Sequence, residues 1–523
     1  MRILSLLIVV TCLCSGNPAR ADTEFAYTSI DELRRQLDSG ETSSARIAAS
    51  LLERIETIDQ TGPAVNAIIE VNPEALAIAE ALDKERKTSG PRGPLHGIPV
   101  VLKANIDTGD KMASSAGSLA LASHFAKDDA QLVADLRAAG MLILAKANLS
   151  EWANFRSSAS VSGWSSLGGQ TRNPHVLDRN ACGSSSGSAA AVAAGLSPLA
   201  VGTETDGSII CPASINGIVG VKPTVGLISR DGIIPIAHTQ DTAGPMARSV
   251  FDAALLLNVL ATKDTKDQAS ASHPGQRDYT RLLDKASLRG KTIGIWRGYY
   301  GANDNAAVKA NLDQTVALMK KAGAKVKDIE LDLPDGINAA EYEVLLYEFK
   351  AGLNAYLSEA GVDPSVASLQ KLIAYNKANA DRLMPWFGQE IFELAQTKNA
   401  LDDPAYQKAL KDSHVAMKTV LHTTFKVNNL DALMAPSNGP AWPIDYVAGD
   451  RFSVGSSSLA AVSGWPSVTL PAGSYRQLPL GVSLIARPWT EDRLLALAFA
   501  LEQILPKAKK PGFTSSLEQP AER

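Results

Sequence analysis

Short β-rich runs alternate with helical segments along most of this 523-residue chain, and that alternation limits its fold more than any other feature. "GIPVVLKANI" (Gly97–Ile106) is a β-rich run entering a loop. "DDAQLVADLRAAG" puts Leu132, Val133 and Leu136 on one helical face, ends at Gly140 and leads into the strand-like "MLILAKA". "SAAAVAAG" reads as a helix, "LAVGTE" as a strand, and "GIVGVKPTVG" as a strand broken by Gly and Pro. Strand-like runs recur at "KTIGIW", "DALMAPS", "PSVTLPAG" and "LGVSLIA". The sequence therefore predicts an α/β layer structure around a largely buried sheet. Thr28–Gln60 predicts two helices, with a Ser29-x-x-Glu32 capping box and an apolar stripe at Ile47, Leu51, Ile55 and Ile58. Residues from about Asn305 to Lys426 turn mostly helical and predict an insert that caps the active edge of the sheet. No repeat or low-complexity linker divides the chain, so residues 22–523 are expected to form one domain.

The chain opens "MRILSLLIVVTCLCSGNPARADTEF", with Arg2, an apolar run from Ile3 to Cys14 and Ala19-Arg20-Ala21 as a small-x-small cleavage site. This predicts a cleaved signal peptide over residues 1–21 and export to the periplasm or medium, with no stable membrane association afterwards. A net charge of −4 gives no electrostatic reason to expect nucleic acid or an anionic membrane as partner. The oligomeric state is not legible. Cleavage would leave Cys182 and Cys211. Export permits a disulfide, but spacing alone cannot bring two sulfurs together. A cross-link would also restrain two serine-rich stretches that carry chemistry, so the balance falls on free thiols.

Those stretches are "ACGSSSGSAAAVAAG" (Ala181–Gly195) and "GTETDGSIICPAS" (Gly202–Ser214). A linker would stay polar, whereas the first runs straight into an alanine-rich helix. A phosphate cradle is possible before a helix N-terminus, but the lysine-serine pair of a P-loop is missing. Gly183-Ser184-Ser185-Ser186-Gly187 matches the G-x-S-x-G elbow of α/β-hydrolases, with Ser185 as nucleophile. Its expected preceding strand is replaced by the polar "TRNPHVLDRNAC", and no later histidine shows a triad context. The seven histidines are scattered and no H-E-x-x-H occurs, which disfavours metal hydrolysis. A serine nucleophile then needs another base, and Lys103 is the candidate, since it follows the apolar run Pro99–Leu102 into the interior. Desolvation favours a neutral amine, which is a competent general base near neutral pH. The bland alternative is a salt-bridged lysine.

Taken together, Lys103 after "GIPVVLK", the loop "GSSSGSAAAVAAG" and "GTETDGSI" resemble the amidase signature family in order and spacing. "TRNP", "GIVGVKPTVGLIS" and "QDTAGPMARSV" extend the resemblance over nearly all of the mature chain. It implies a large twisted mixed β-sheet covered by helices on both faces. It also implies hydrolysis of an amide C–N bond by a Ser-Ser-Lys triad, with no metal or organic cofactor. The nucleophile falls on Ser208, the bridging serine, preceded by a cis peptide bond, on Ser184, and the base on Lys103. Backbone N–H groups of Thr205, Asp206, Gly207 and Ser208 would form the oxyanion hole.

Asp206 and Ile210 stand where the broad family has glycine and arginine, and both are similar to the bacterial peptide amidases, as are "SEWANFRS" and "SRDGIIPI". That implies C-terminal peptide amides as substrates, with Asp206, Trp152, Phe155 and Trp164 as candidate contacts. Core packing for the aromatics and loop hydrogen bonding for Asp206 are equally open. Aryl or aliphatic amides, and a non-catalytic binding role, stay as alternatives. Ala104 replaces an aspartate that follows the lysine in the family pattern, which raises the question of what orients the lysine loop.

Overall fold

A computed structural model describes residues 24–302 and 305–517, so the expected signal peptide lies outside the described residues. The first strands are β1 (Ile68–Val71), β2 (Pro99–Lys103) and β3 (Leu142–Ala147). β2 and β3 are buried at every position, which explains why their sequences are near-continuous apolar runs and do not alternate. β4 (Trp164–Ser165) and β5 (Gly169–Gln170) make a separate small hairpin. Then come β6 (Leu199–Glu204), β7 (Val219–Lys222), β8 (Thr242–Ala247) and β9 (Thr292–Trp296). β10 (Lys325–Ile329), β11 (Ala432–Pro436), β12 (Ser467–Tyr475) and β13 (Leu478–Ile485) complete the set.

Eleven strands form one mixed sheet in the order β1-β3-β2-β6-β8-β7-β12-β13-β11-β9-β10, flanked by helices. β2 runs parallel to β3 and β6, and β9 runs parallel to β10 and β11, whereas the other pairs are antiparallel. The helix Ser186–Ala193 is buried all round and packs on β2, β3, β6 and β8. Its small residues are what allow this approach. A Cβ on Gly187 would lie 2.2 Å from the Ala67 carbonyl oxygen and 2.4 Å from that of Asn148. The two N-terminal helices form at Ile30–Ser39 and Ser44–Arg54, and Ser29 Oγ accepts from the Glu32 N–H at 3.2 Å.

The segment expected to be a helical insert divides in two. Its first helix, Ala306–Lys321, packs on β11, β12 and β13, and β10 extends the sheet beside β9. β10 escapes a periodicity reading because "KVKDI" is a charged, exposed edge strand. The helices from Ile337 onward build a smaller core of their own, where Leu346, Phe349, Leu353 and Phe392 pack against Trp152, Phe155, Ile234 and Ile236. This second core faces the loops that carry the two serine-rich stretches. Among the described residues no helix is long and apolar enough to cross a membrane.

Candidate active site

Lys103 ends β2, and the second serine stretch leaves the end of the parallel neighbour β6, in register through Leu102 and Val201. Loops at the carboxyl ends of parallel strands are where open α/β sheets gather binding and catalytic groups. The Lys103 amine is fully buried there, with Ser184 Oγ at 2.8 Å, Thr203 Oγ1 at 2.8 Å and the Thr203 carbonyl at 3.2 Å. All three partners are neutral. Burial therefore pushes the Lys103 amine down to about 7, and the negative charges of Asp241 and Glu204 only partly oppose it. As an ammonium the Lys103 group donates to all three; once neutral, it has two N–H groups for Thr203 and its lone pair for Ser184. A neutral lysine so held can take a proton from that hydroxyl.

Ser184 follows a cis peptide bond from Gly183, and its carbonyl accepts from the Ser150 N–H at 3.1 Å. The Ser185 N–H donates to the Ser208 carbonyl at 3.1 Å and so joins the two stretches. Ser185 itself is occupied: its hydroxyl donates to the Thr203 carbonyl (3.0 Å) and accepts from the Thr203 N–H (3.2 Å). No histidine reaches it, so the α/β-hydrolase reading with Ser185 as nucleophile fails on geometry. Lys103 and Ser184 are sealed from solvent, while Ser208 keeps 8 % of its surface exposed.

Glu204 shapes the loop that carries Ser208. Its Oε2 accepts from the N–H groups of Ile209 and Ile210 at 2.7 and 2.9 Å, pinning the chain just after the serine. Gly207 takes a left-handed φ of +78°, and a Cβ there would lie 2.9 Å from Ser457 Oγ. Among the described residues no backbone carbonyl accepts from the N–H groups of Asp206, Gly207 or Ser208. They can therefore serve an incoming oxygen. Thr205 Oγ1 donates to Asp241 at 2.6 Å, which anchors the start of the same loop. A cavity of about 390 Å³ reaches this region and is lined by Asn105, Thr203, Thr205, Asp241 and Tyr356 among others.

Asp206 turns its carboxylate into the protein, where Ser458 Oγ donates to Oδ2 at 2.6 Å. Trp152, Phe155 and Trp164 are all buried. They pack edge-on against Phe392 (5.6 Å), Phe349 (5.0 Å) and Phe387 (5.1 Å). The structure thus gives each a packing contact with the helical cap. Ala104 leaves no gap in the lysine loop. Its N–H donates to Ala147, its carbonyl accepts from Ser115 and Ala116, and Asn105 Nδ2 reaches Thr203 Oγ1 at 3.1 Å. Backbone bonds and Asn105 orient the lysine without the carboxylate. Among the described residues no three His, Cys, Asp or Glu side chains gather as a metal ligand set.

The expectation of free thiols is overturned: Cys182 and Cys211 form a disulfide with a Cα–Cα distance of 6.0 Å. The bridge lies in an apolar pocket with Ile215, Trp442 and Val176. Restraint that looked like a liability fixes the two loops to each other. Replacing both cysteines by serine should lower unfolding stability by about 2–4 kcal/mol, read in denaturant titrations, because a loop of this length then opens in the unfolded chain. Thr203, Glu204, Gln240 and Glu341 are the site residues that sequence reasoning missed. The available signal was weak: Glu341 occupies an apolar-stripe position of a helix, next to Ile337 and Val344.

A buried amine against a serine hydroxyl, beside a loop of free backbone N–H groups, is the equipment of an acyl-transfer hydrolase. The family described as Amidase matches residues 46–495, and the chain belongs to that family, the amidase signature family. It is an amide-hydrolysing enzyme. It is 36% identical over 529 residues to a protein of Arabidopsis thaliana called "Probable amidase", covering 98% of this chain and 96% of the other. The solved peptide amidase PAM, in complex with the competitive inhibitor chymostatin, superposes with a TM-score of 0.90 at 47% identity, over 93% of this chain and 99% of that one. The native peptide amidase from Stenotrophomonas maltophilia gives 0.90 at 46%, over 94% and 100%.

Proposed function

We propose that this enzyme removes ammonia from the C-terminal carboxamide of peptides, with Ser208 as nucleophile, Ser184 as proton bridge and Lys103 as base. The observation that carries the reading is the Lys103 amine, buried among neutral partners and bonded to Ser184 at 2.8 Å. Ser208 Oγ bonds to the amide carbon while its proton passes to Ser184, whose own proton passes to Lys103. The N–H groups of Thr205 to Ser208 receive the negative oxygen. As the C–N bond breaks, the Lys103 ammonium returns the proton through Ser184 to the departing nitrogen, and ammonia leaves. Water then repeats the sequence on the acyl-enzyme and releases the acid.

The peptide class is supported by 46–47% identity to solved peptide amidases and near-complete mutual coverage. Export from the cytoplasm belongs to the same reading and rests on the N-terminal sequence. The test is a panel of peptide C-terminal amides, aryl amides and aliphatic amides, with released ammonia or amine measured for each. Peptide amides should give a kcat/KM at least about tenfold above the others, a preference that one or two good contacts supply. A flat profile, or a preference for aryl or aliphatic amides, contradicts the peptide class.

A further inference from the structure

Glu341 plays no part in the reaction above, yet two hydrogen bonds connect it to the loop that carries Ser208. It lies buried on the helix Ile337–Glu359. Gln240 Nε2 donates to Glu341 Oε1 at 2.9 Å and to the Thr205 carbonyl at 3.1 Å, bridging helix and loop. The Asp206 and Glu341 carboxyls face each other. Asp206 Oδ1 is sealed from solvent and has no hydrogen-bond partner among the described residues, and a protonated Glu341 is the group placed to donate to it. Two carboxylates in contact away from water cannot both be ionised. The neighbours decide which keeps the proton. Asp206 receives the Ser458 hydroxyl and feels Lys222 on β7, which sits between Glu204, Glu491 and Asp206. Glu341 faces only Asp206 and the Gln240 amide, and burial with the Asp206 charge holds its carboxyl well above the ordinary range.

We propose that Glu341 is a positioning residue that donates a carboxyl hydrogen bond to Asp206 and, with Gln240, clamps the Thr205–Ser208 loop to the helical cap. Its effect on turnover rests on the Ser208 reading, whereas the shared proton does not. A carboxyl whose proton is favoured by folding contributes stability at low pH and loses it as pH rises through the folded titration. Above that point Asp206 and Glu341 repel, the loop shifts, and both turnover and thermal stability decline.

The test compares wild type, Glu341→Gln and Glu341→Ala by kcat and KM against pH, Tm against pH, and the infrared carbonyl band of a protonated carboxyl. Glutamine keeps an N–H donor for Asp206 and cannot titrate. It should hold kcat within about threefold of wild type near neutral pH, and lack both the alkaline decline and the band. Alanine should lower kcat by about 10²-fold with little change in KM, the size of effect seen when an oxyanion donor is lost. An alkaline decline and a carboxyl band that persist unchanged in Glu341→Gln overturn the shared proton. A Glu341→Ala enzyme with normal kcat overturns the clamp even where the Ser208 reading stands, since Ser208→Ala reports on that reading separately.

Discussion

Ser208→Ala should lower kcat on a peptide amide by about 10⁴-fold or more while leaving KM and the fold nearly unchanged. The expectation follows from division of labour within the site. Lys103 and Ser184 have no solvent access, so neither can replace Ser208 as the atom that bonds to carbon. The loop N–H groups and the substrate cleft survive the substitution, which leaves residual catalysis of the kind that oxyanion stabilisation and binding supply alone. Removing a small, nearly buried hydroxyl opens little space. Kinetics with ammonia detection and a denaturation curve check both halves. Wild-type turnover in Ser208→Ala would remove the nucleophile from the account.

Lys103→Met carries the second large effect, and it has a pH signature. The base must be neutral, and burial places the Lys103 amine at about 7. Wild-type kcat/KM should therefore fall about tenfold per pH unit below that value and reach a plateau above it, up to the alkaline decline that the Asp206–Glu341 pair imposes. Methionine fills similar volume without a titrating group, and should cost about 10³-fold or more in kcat/KM across the range. Stability moves the other way. A lysine whose folded pKa is depressed binds fewer protons folded than unfolded between about 7 and its ordinary value of 10.5, so its contribution improves as pH rises through that window. At pH 7 it opposes folding by roughly 4 kcal/mol. Wild type should gain stability relative to Lys103→Met between pH 7 and 10. Parallel Tm curves would contradict the buried neutral amine.

Most of the sheet was legible because its strands are buried on both faces and carry near-continuous apolar runs, as in β2, β3 and β6. β8 was missed because Gly244 and Pro245 interrupt it, and its pairing with β6 on one side and β7 on the other shows that it is a strand. β10 was missed because three of its five residues are charged, which an exposed edge strand tolerates. Lys103 and Ser184 were legible as motifs, and the structure brings them within hydrogen-bond distance. Asp206 was legible as a residue but not in its orientation. A side chain next to a substrate loop can face outward or inward, and here Ser458 and Glu341, more than a hundred positions away in sequence, draw it inward. The disulfide was not legible for the same reason: 29 positions of sequence separation do not state a distance, and the fold sets one.

In the proposed reaction a buried neutral amine activates Ser208 through Ser184. Covalent labelling by a serine-directed phosphonate, mapped by mass spectrometry across pH, tests this. One adduct is expected, on Ser208, formed at a rate that rises with pH through about 7 and is lost in Lys103→Met. An adduct on Ser185, or undiminished labelling of Ser208 in Lys103→Met, would overturn it.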